Sequence, residues 1–502
     1  MAAILADGRG RTPAELRDVL RAQGRVSMTA ADVVRVLHAY PARFRPDTSQ
    51  PPRWWPAIGG GHARAKAADS LPPLYAWQVE ALDAWRRLRR RGVVEAVTGT
   101  GKTMVGIAAA TQELARGGQV CVLVPTTELL HQWQAALDRY LPAGAGVGLL
   151  GGGNHCRMGD HDVLVAVINS ARHADLRPRR PGGLLVGDEC HRYGTDGNRA
   201  ALEAGFPSRL GLSATFARND NGHLAWLEPY FGPTCFRMGY RRAIADGVAA
   251  HFVVALLGVS FDTAERAAYD DLTLVLRRNR AVLISRFGVP ADPVGLFLQA
   301  VASLARLDGD SPAGTAARFY LGAMQDRRRL LAETPAKVGA VGLLVPALRA
   351  SGRAIVFTQT IDGAERAASV LREVDVGAAA VHSGLGRADR QSVLAGFRDG
   401  HLQVVTAPQV LDEGVDVPAA DLAVILATSR SRRQMIQRMG RVLRRKPDGR
   451  RARFVIAYVE GTVEDPAQGA HEGFLEEVMG VADTVHRFPA GTTSGALSSF
   501  LA

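Results

Sequence analysis

Cysteine is scarce in this chain. Four thiols, Cys121, Cys156, Cys190 and Cys235, are spread over 502 residues, and no two stand in a C-x-x-C spacing. That excludes a zinc knuckle and a disulfide framework, and it fits a reducing compartment. Long apolar runs are missing as well: no stretch reaches the roughly 20 uninterrupted apolar residues of a membrane span. Residues 1–10 carry no apolar signal-peptide core. The expectation is a cytoplasmic protein without a membrane partner. Acidic residues fall short of basic ones, 49 against 61, for a formal net charge of +12. A surplus of that size favours a polyanionic partner, most simply nucleic acid.

What is present is ample apolar material, 47% of the chain, over a length that suits roughly three domains. Residues 1–70 read as a separate module. Thr12 caps a helix that Pro13 opens, and Leu16, Val19 and Leu20 keep helical spacing. Ser27 to Thr29 cap a second helix, Ala30 to Tyr40. Arg43-Phe44-Arg45 and Arg53-Trp54-Trp55 flank a proline-containing turn and suit a small basic hairpin. Two helices and a basic wing resemble a winged helix; the alternative is a helical hairpin that only packs on the rest. Gly59 to Ser70 reads as a linker.

From Leu71 apolar strands alternate with helices, the pattern of a parallel α/β sheet. The strands are read at Val93–Ala96, Val120–Val124, Val163–Val167, Leu184–Asp188 and Arg209–Leu212. A second series starts at Phe252–Val259 and resumes at Ala354–Phe357, Ala378–His382, Val404–Ala407, Leu422–Leu426 and Phe454–Ile456. Between them Asp262 to Pro335 is rich in arginine and leucine at helical spacing. The domains are therefore set at 1–70, 71–240, 241–468 with a helical insertion at 262–335, and a tail at 469–502. The tail is unassigned, and its Gly/Thr/Ser stretch at Thr492–Ser499 is expected to be loose.

The stretch that organises the chain is Ala96-Val97-Thr98-Gly99-Thr100-Gly101-Lys102-Thr103. A strand precedes it and a helix follows, the context a phosphate-binding loop requires. Gly99 and Gly101 let the backbone curl so that N–H groups converge on phosphate oxygens. The helix N-terminus adds partial positive charge. Lys102 brings a full charge for the β/γ-phosphates, and Thr103 brings a hydroxyl for Mg²⁺. Ala96 stands where the usual pattern has its first glycine.

Leu185-Val186-Gly187-Asp188-Glu189-Cys190-His191 is an apolar strand ending in adjacent carboxylates. Alone, such a pair is more often a solvated turn. In a chain with Lys102 and Thr103 it divides the labour: Asp188 for the Mg²⁺ shell, Glu189 to orient and deprotonate water, His191 to report nucleotide state. Further on, Arg438, Arg441 and Arg444 recur every third residue and share one helical edge. Guanidiniums so placed repel unless an anion lies opposite, as in phosphoryl transfer.

These pieces resemble the superfamily 2 helicases, from about Leu74 to Tyr458 and in the family order. The likeness implies two RecA-like parallel-sheet lobes with a helical insertion in the second, and an ATP-dependent enzyme using Mg²⁺. It implies that Gln78, in Leu74-Tyr75-Ala76-Trp77-Gln78, reads the adenine edge. Thr98, Gly99, Thr100, Gly101, Lys102 and Thr103 would bind ATP, with Gly414 and Asp416 near the ribose and Arg441 and Arg444 as the fingers. Ser213-Ala214-Thr215 would couple ATP to nucleic acid, with His191 and Gln437. Strand contacts would fall on Pro125, Thr126, Arg218, Thr358 and Thr406. Ala166 to Arg172 resembles a further strand-contacting motif.

Within the superfamily, Gly211 to Asp220 and Ser431-Arg432-Arg433-Gln434 resemble the xeroderma pigmentosum group B (XPB) type of DNA helicase. Asn219 stands where that family's Arg-Glu-Asp element has glutamate, so the element's strand-separating role is not carried over whole. The insertion lies where the family has a thumb-like element that grips DNA. The likeness implies DNA rather than RNA and 3′-to-5′ movement, with the N-terminal module open to a protein partner. Two alternatives stay open: a motor subunit that translocates duplex DNA in a restriction or phage-defence assembly, and a non-catalytic DNA clamp.

Overall fold

The near-continuous apolar runs become strands buried on both faces, as parallel sheets covered by helices require. A computed structural model describes residues 12–22, 29–39, 44–46, 54–56, 71–218, 220–307, 311–408, 420–426, 442–443, 445–446, 448–469 and 479–502. The chain forms two compact units, residues 1–70 with 142–144 and the remainder.

In the first unit the helices run Pro13–Ala22 and Ala30–Ala39. Both start on capping boxes. Thr12 Oγ1 accepts from Glu15 N–H while Glu15 accepts from Thr12 N–H, and Thr29 and Asp32 repeat the exchange. Leu16, Leu20, Val33 and Leu37 are buried. Strands β1 (Phe44–Pro46) and β2 (Trp54–Pro56) pair antiparallel as the expected hairpin. Arg43 and Arg53 lie outside the described residues.

The second unit carries both large sheets. The first contains β3 (Arg91–Ala96), β4 (Gln119–Val124), β5 (Val147–Gly151), β6 (Asn154–His155), β7 (Val163–Val167), β8 (Gly183–Gly187), β9 (Ser208–Ser213) and β10 (Thr234–Met238). Their order is β10-β3-β9-β8-β4-β7-β5-β6, parallel except for the β5–β6 hairpin. The second sheet contains β11 (Phe252–Val259), β12 (Ala354–Phe357), β13 (Ala378–Ala380), β14 (Val404–Ala407), β15 (Leu422–Ile425), β16 (Ala452–Val459) and β17 (Thr484–Phe488). It is parallel throughout, in the order β13-β14-β12-β15-β16-β11-β17. These are the two expected parallel-sheet lobes. The helix Tyr240–Ala245 joins them, with Arg242 on Glu80 of the first and Arg241 on Gly480 O of the second.

The insertion is three helices, Thr263–Ser285, Val294–Leu307 and Pro312–Glu333. Asp262 and Glu265 form a capping box at its start. Leu283, Phe297, Val301 and Ala317 give it a small core of its own.

The tail corrects the expectation of a loose end. Strand β17 pairs in parallel with β11, and Ser494–Leu501 is a helix capped by Thr493. Leu497 and Leu501, four residues apart, are fully buried in the core under the second sheet. Burying each leucine contributes about 1.5–3 kcal/mol, which outweighs the low propensity of the small polar residues between them.

Candidate active site

Strand β3 delivers the chain into the glycine-rich loop. Gly99 and Gly101 take φ of +85° and +92°, a region that favours glycine. The helix Lys102–Ala115 starts directly after Gly101. Lys102 is 8% exposed, and its Nζ donates to Ala96 O at 2.7 Å and Val97 O at 3.4 Å. Burial pulls its ammonium down, and the carboxylates of Glu189 and Asp188 oppose that pull. Thr100 Oγ1 ties the loop to Val97 O at 2.8 Å. Thr98 and Thr103 are half-buried. Gln78 sits on the loop itself: its Nε2 donates to Gly101 O at 3.1 Å and its Oε1 accepts from Tyr75 N–H at 2.9 Å. Both ends of this amide are thus engaged with backbone.

Strand β8 ends at Gly187, where a Cβ would stand 2.8 Å from the Phe231 ring and 3.0 Å from the Tyr193 ring. The glycine lets those rings close under Asp188. The Tyr193 hydroxyl donates to Asp188 O and Leu123 O. Asp188 is buried, and its carboxylate accepts from Trp133 Nε1–H at 2.8 Å and Glu189 N–H at 3.0 Å. Burial pushes the Asp188 carboxyl up; the Trp133 bond, the Lys102 charge and the Glu189 N–H resist. Trp133 reaches it because Gly106 has no side chain: a Cβ there would lie 2.6 Å from Trp133 Cη2.

Glu189 takes φ of +47°, left-handed for a residue with a Cβ. Such a conformation costs about 1–2 kcal/mol and concentrates at functional sites. Its carboxylate lies 3.4 Å from His191 Nδ1, and that nitrogen lies 3.0 Å from Ser213 Oγ at the end of β9. Ser213 Oγ also accepts from Thr215 N–H at 3.1 Å. The structure therefore joins His191, Ser213 and Thr215, the described members of the coupling set.

The strand-contact set fares differently. Thr406 is fully buried and its hydroxyl donates to Ala364 O at 2.8 Å. Thr358 is 3% exposed and its hydroxyl donates to Thr360 O. Pro125 is buried. These three side chains are buried in this structure and shape the strand ends. Thr126 caps the helix Thr127–Tyr140 through Leu129 N–H. Arg218 turns inward, its guanidinium donating to His191 O and both Asp220 oxygens. Asn219, Gly414, Asp416, Gln437, Arg438, Arg441 and Arg444 lie outside the described residues. Trp133 closes the Val124–Trp133 stretch that resembles a strand-contacting motif, and the structure sets its indole on Asp188; Tyr193 has no place in a motif, and an aromatic within four residues of the carboxylate pair is its available sign.

Among the described residues no group of three or more His, Cys, Asp or Glu could hold a metal, and no helix is long and apolar enough to cross a membrane. The oxygens available near the loop include the buried carboxylate of Asp188 and the hydroxyl of Thr103. Hard oxygens of this kind suit Mg²⁺ held jointly with substrate phosphates rather than in an all-protein cage.

Residues 72–218 match the family profile of the type III restriction enzyme res subunit, and 337–446 match the helicase conserved C-terminal domain. The DNA 3′-5′ translocase XPB2 of Sulfurisphaera tokodaii is 30% identical over 409 residues, 79% of this chain and 85% of that protein. The DNA 3′-5′ helicase XPB of Kineococcus radiotolerans is 26% identical over 84% of this chain and 67% of its own length. A putative-helicase relative in Haloarcula marismortui, Rad25, is 27% identical over 74% of this chain, which spans 50% of it. Saccharomyces cerevisiae Dbp5, solved with RNA and ADP BeF3, superposes with a TM-score of 0.55 at 13% identity, over 85% of this chain and 92% of Dbp5. The type ISP restriction-modification enzyme LlaBIII, solved with DNA, gives 0.54 at 16% identity, over 84% of this chain and 31% of that one. The structural likenesses establish the two-lobed helicase fold. The XPB2 match over most of both chains, on top of the loop, carboxylate and coupling motifs, shows that this protein belongs to the XPB-type family of superfamily 2 DNA helicases and translocases.

Proposed function

We propose that the protein is a DNA-stimulated ATPase that moves 3′ to 5′ along DNA. The observation that carries this reading is the His191 Nδ1–Ser213 Oγ contact at 3.0 Å. It joins the carboxylate strand end beside the nucleotide loop to the turn that leads toward the nucleic-acid side. Residues 98–103 hold the phosphates of ATP. Lys102 leaves its backbone carbonyls for the β/γ-phosphates, a charge that the buried site makes strong. Asp188 and Thr103 would hold Mg²⁺, which when bound would supply positive charge against the phosphates. Glu189 takes the proton of the attacking water. By the family likeness Arg441 and Arg444 would serve as the fingers, and Gly414 and Asp416 would contribute to binding the ribose; all four are outside the described residues. Gln78 holds Gly101 in place and thereby shapes the base side of the site. The intact Lys102, Asp188 and Glu189 disfavour a non-catalytic clamp.

We take 71–240 as the first lobe and start the second at 241, and we extend the second beyond 468 because β17 (Thr484–Phe488) pairs with β11 in its sheet. Residues 1–70 are assigned to DNA binding through the basic hairpin; removing them should weaken DNA affinity and flatten its salt dependence.

Strand displacement from 3′-tailed, 5′-tailed, forked and blunt duplexes, DNA and RNA, tests the reading. ATP-dependent displacement on 3′-tailed DNA is expected; activity confined to RNA or to 5′ tails would contradict it. A second reading, a motor that tracks duplex DNA without unwinding, is favoured by the restriction-subunit profile over 72–218. It predicts ATPase stimulation by blunt duplex with no displacement from any substrate.

A further inference from the structure

Glu95 lies one residue before the nucleotide loop, and no motif marks it. Strand β3 runs between β9 and β10, and Glu95 stands in register with Ser213 on one side and Arg237 on the other. Residues in register on neighbouring strands share a face. From there Glu95 Oε1 accepts from Phe216 N–H at 2.9 Å, and Oε2 accepts from Arg237 Nε–H at 3.1 Å. Phe216 follows Thr215, whose own N–H goes to Ser213 Oγ. Successive amides of the 213–216 turn are thus taken by two side chains at one register level, and one of those side chains touches His191. One residue further along β3, Ala96 O receives the Lys102 ammonium.

The two contacts of Glu95 are unequal. The Arg237 side chain is 75% exposed, and ion pairs with so exposed a partner contribute little. Phe216 is 2% exposed, so its amide without an acceptor would be left unsatisfied.

We propose that Glu95 is a positioning residue for energy coupling: it holds the 213–216 turn to the strand that carries the nucleotide loop. A displacement of the loop then moves the turn rather than being lost in it. This rests on the reading of Ser213–Thr215 as the coupling turn. The test is ATPase rate with and without saturating single-stranded DNA, for the wild type and for Glu95→Gln, Glu95→Ala, Arg237→Ala and Ser213→Ala, each melted to check folding. Gln keeps a carbonyl oxygen for Phe216 N–H; Ala does not. Glu95→Met, which keeps the volume without an acceptor, takes the place of Ala if Ala unfolds.

The stimulated-to-unstimulated ratio should fall at least about 5-fold in the acceptor-free variant, the usual lower size of coupling between sites, and return to within about 2-fold of wild type in Glu95→Gln. Arg237→Ala should keep the wild-type ratio. A normal ratio in the acceptor-free variant, with a reduced one in Ser213→Ala, overturns the role of Glu95 and leaves the coupling reading standing. Equal loss in Glu95→Gln and Arg237→Ala assigns the effect to the ion pair and also overturns it. A wild-type rate that DNA does not change overturns both.

Discussion

Lys102 in the first lobe and Lys337 in the second are both buried, and their surroundings are opposite. Lys102 rests its ammonium on the carbonyls of Ala96 and Val97, while Asp188 takes N–H donors from Trp133 and Glu189. Lys337, 1% exposed, is clamped on Glu464, with Nζ 3.0 Å from one carboxylate oxygen and 2.7 Å from the other. Around that pair the loop after β16 gathers the rest of the lobe. Arg266 donates to Glu460 O and Gly461 O, Tyr269 Oη accepts from Val463 N–H, and Arg487 of β17 donates to Asp465. The insertion and the tail are thereby fixed to one point. Where a charge must meet a ligand, carbonyl dipoles hold the Lys102 ammonium while the nearby Glu189 and Asp188 carboxylates favour its charge. Where the Lys337 charge holds the fold, a counter-charge sits directly on it.

The largest effect should come from breaking the second lysine's pairing. Lys337→Ala strands a buried carboxylate and should cost about 3–5 kcal/mol of stability, read by denaturant unfolding, with turnover of the folded protein retained. Replacing Lys337 by Met and Glu464 by Leu together should be near neutral. A mild single variant would erase the contrast between the lobes.

Next comes Glu189→Gln, which keeps the shape of the side chain and removes the base. Turnover should fall at least about 10²-fold while nucleotide still binds; turnover within a factor of two of the parent would remove Glu189 from the chemistry. Trp133→Phe deletes the donor to Asp188 and keeps an aromatic ring on the helix Thr127–Tyr140. A hydrogen bond to a charged group is worth about 1.5–3 kcal/mol, so turnover should fall about 10-fold or more. An unchanged rate would show that Asp188 does not depend on its neutral donors.

The effect read against pH concerns Lys446, 8% exposed with Nζ on Val442 O. Burial pulls its ammonium down to about 8. Its folded value is below the unfolded one, so the folded state holds fewer protons between about pH 8 and 10.5. The penalty is whole below pH 8, and stability relative to Lys446→Met should rise through that window. Parallel stability–pH curves for the two proteins would contradict the shift.

Much of this was legible in the sequence because buried parallel strands are apolar end to end. Val163–Val167, Phe252–Val259, Ala354–Phe357 and Val404–Ala407 have the bounds that their mostly apolar runs suggest. The strands left unread are those whose residues alternate or are small: Val147–Gly151 is broken by glycine, Thr234–Met238 lies at a sheet edge, and Thr484–Phe488 is an edge strand with mostly exposed side chains. The motifs at 96–103, 188–191 and 213–215 were legible because their chemistry is contiguous. Trp133 and Glu95 were not, since each reaches the site through sheet register or helix packing across long sequence separations. Thr358 and Thr406 show the converse: a motif position says nothing about which way a hydroxyl points, and these two point into the lobe.

The central claim is that the first lobe's dipole-held charges are wired through Ser213 to DNA. The most direct measurement is DNA affinity with and without ATP in the Glu189→Gln protein, repeated with Ser213→Ala added. ATP should change the affinity at least about 5-fold when Ser213 is present and less than about 2-fold when it is not, with DNA changing ATP affinity by the same factor. An equal change in both proteins would contradict it.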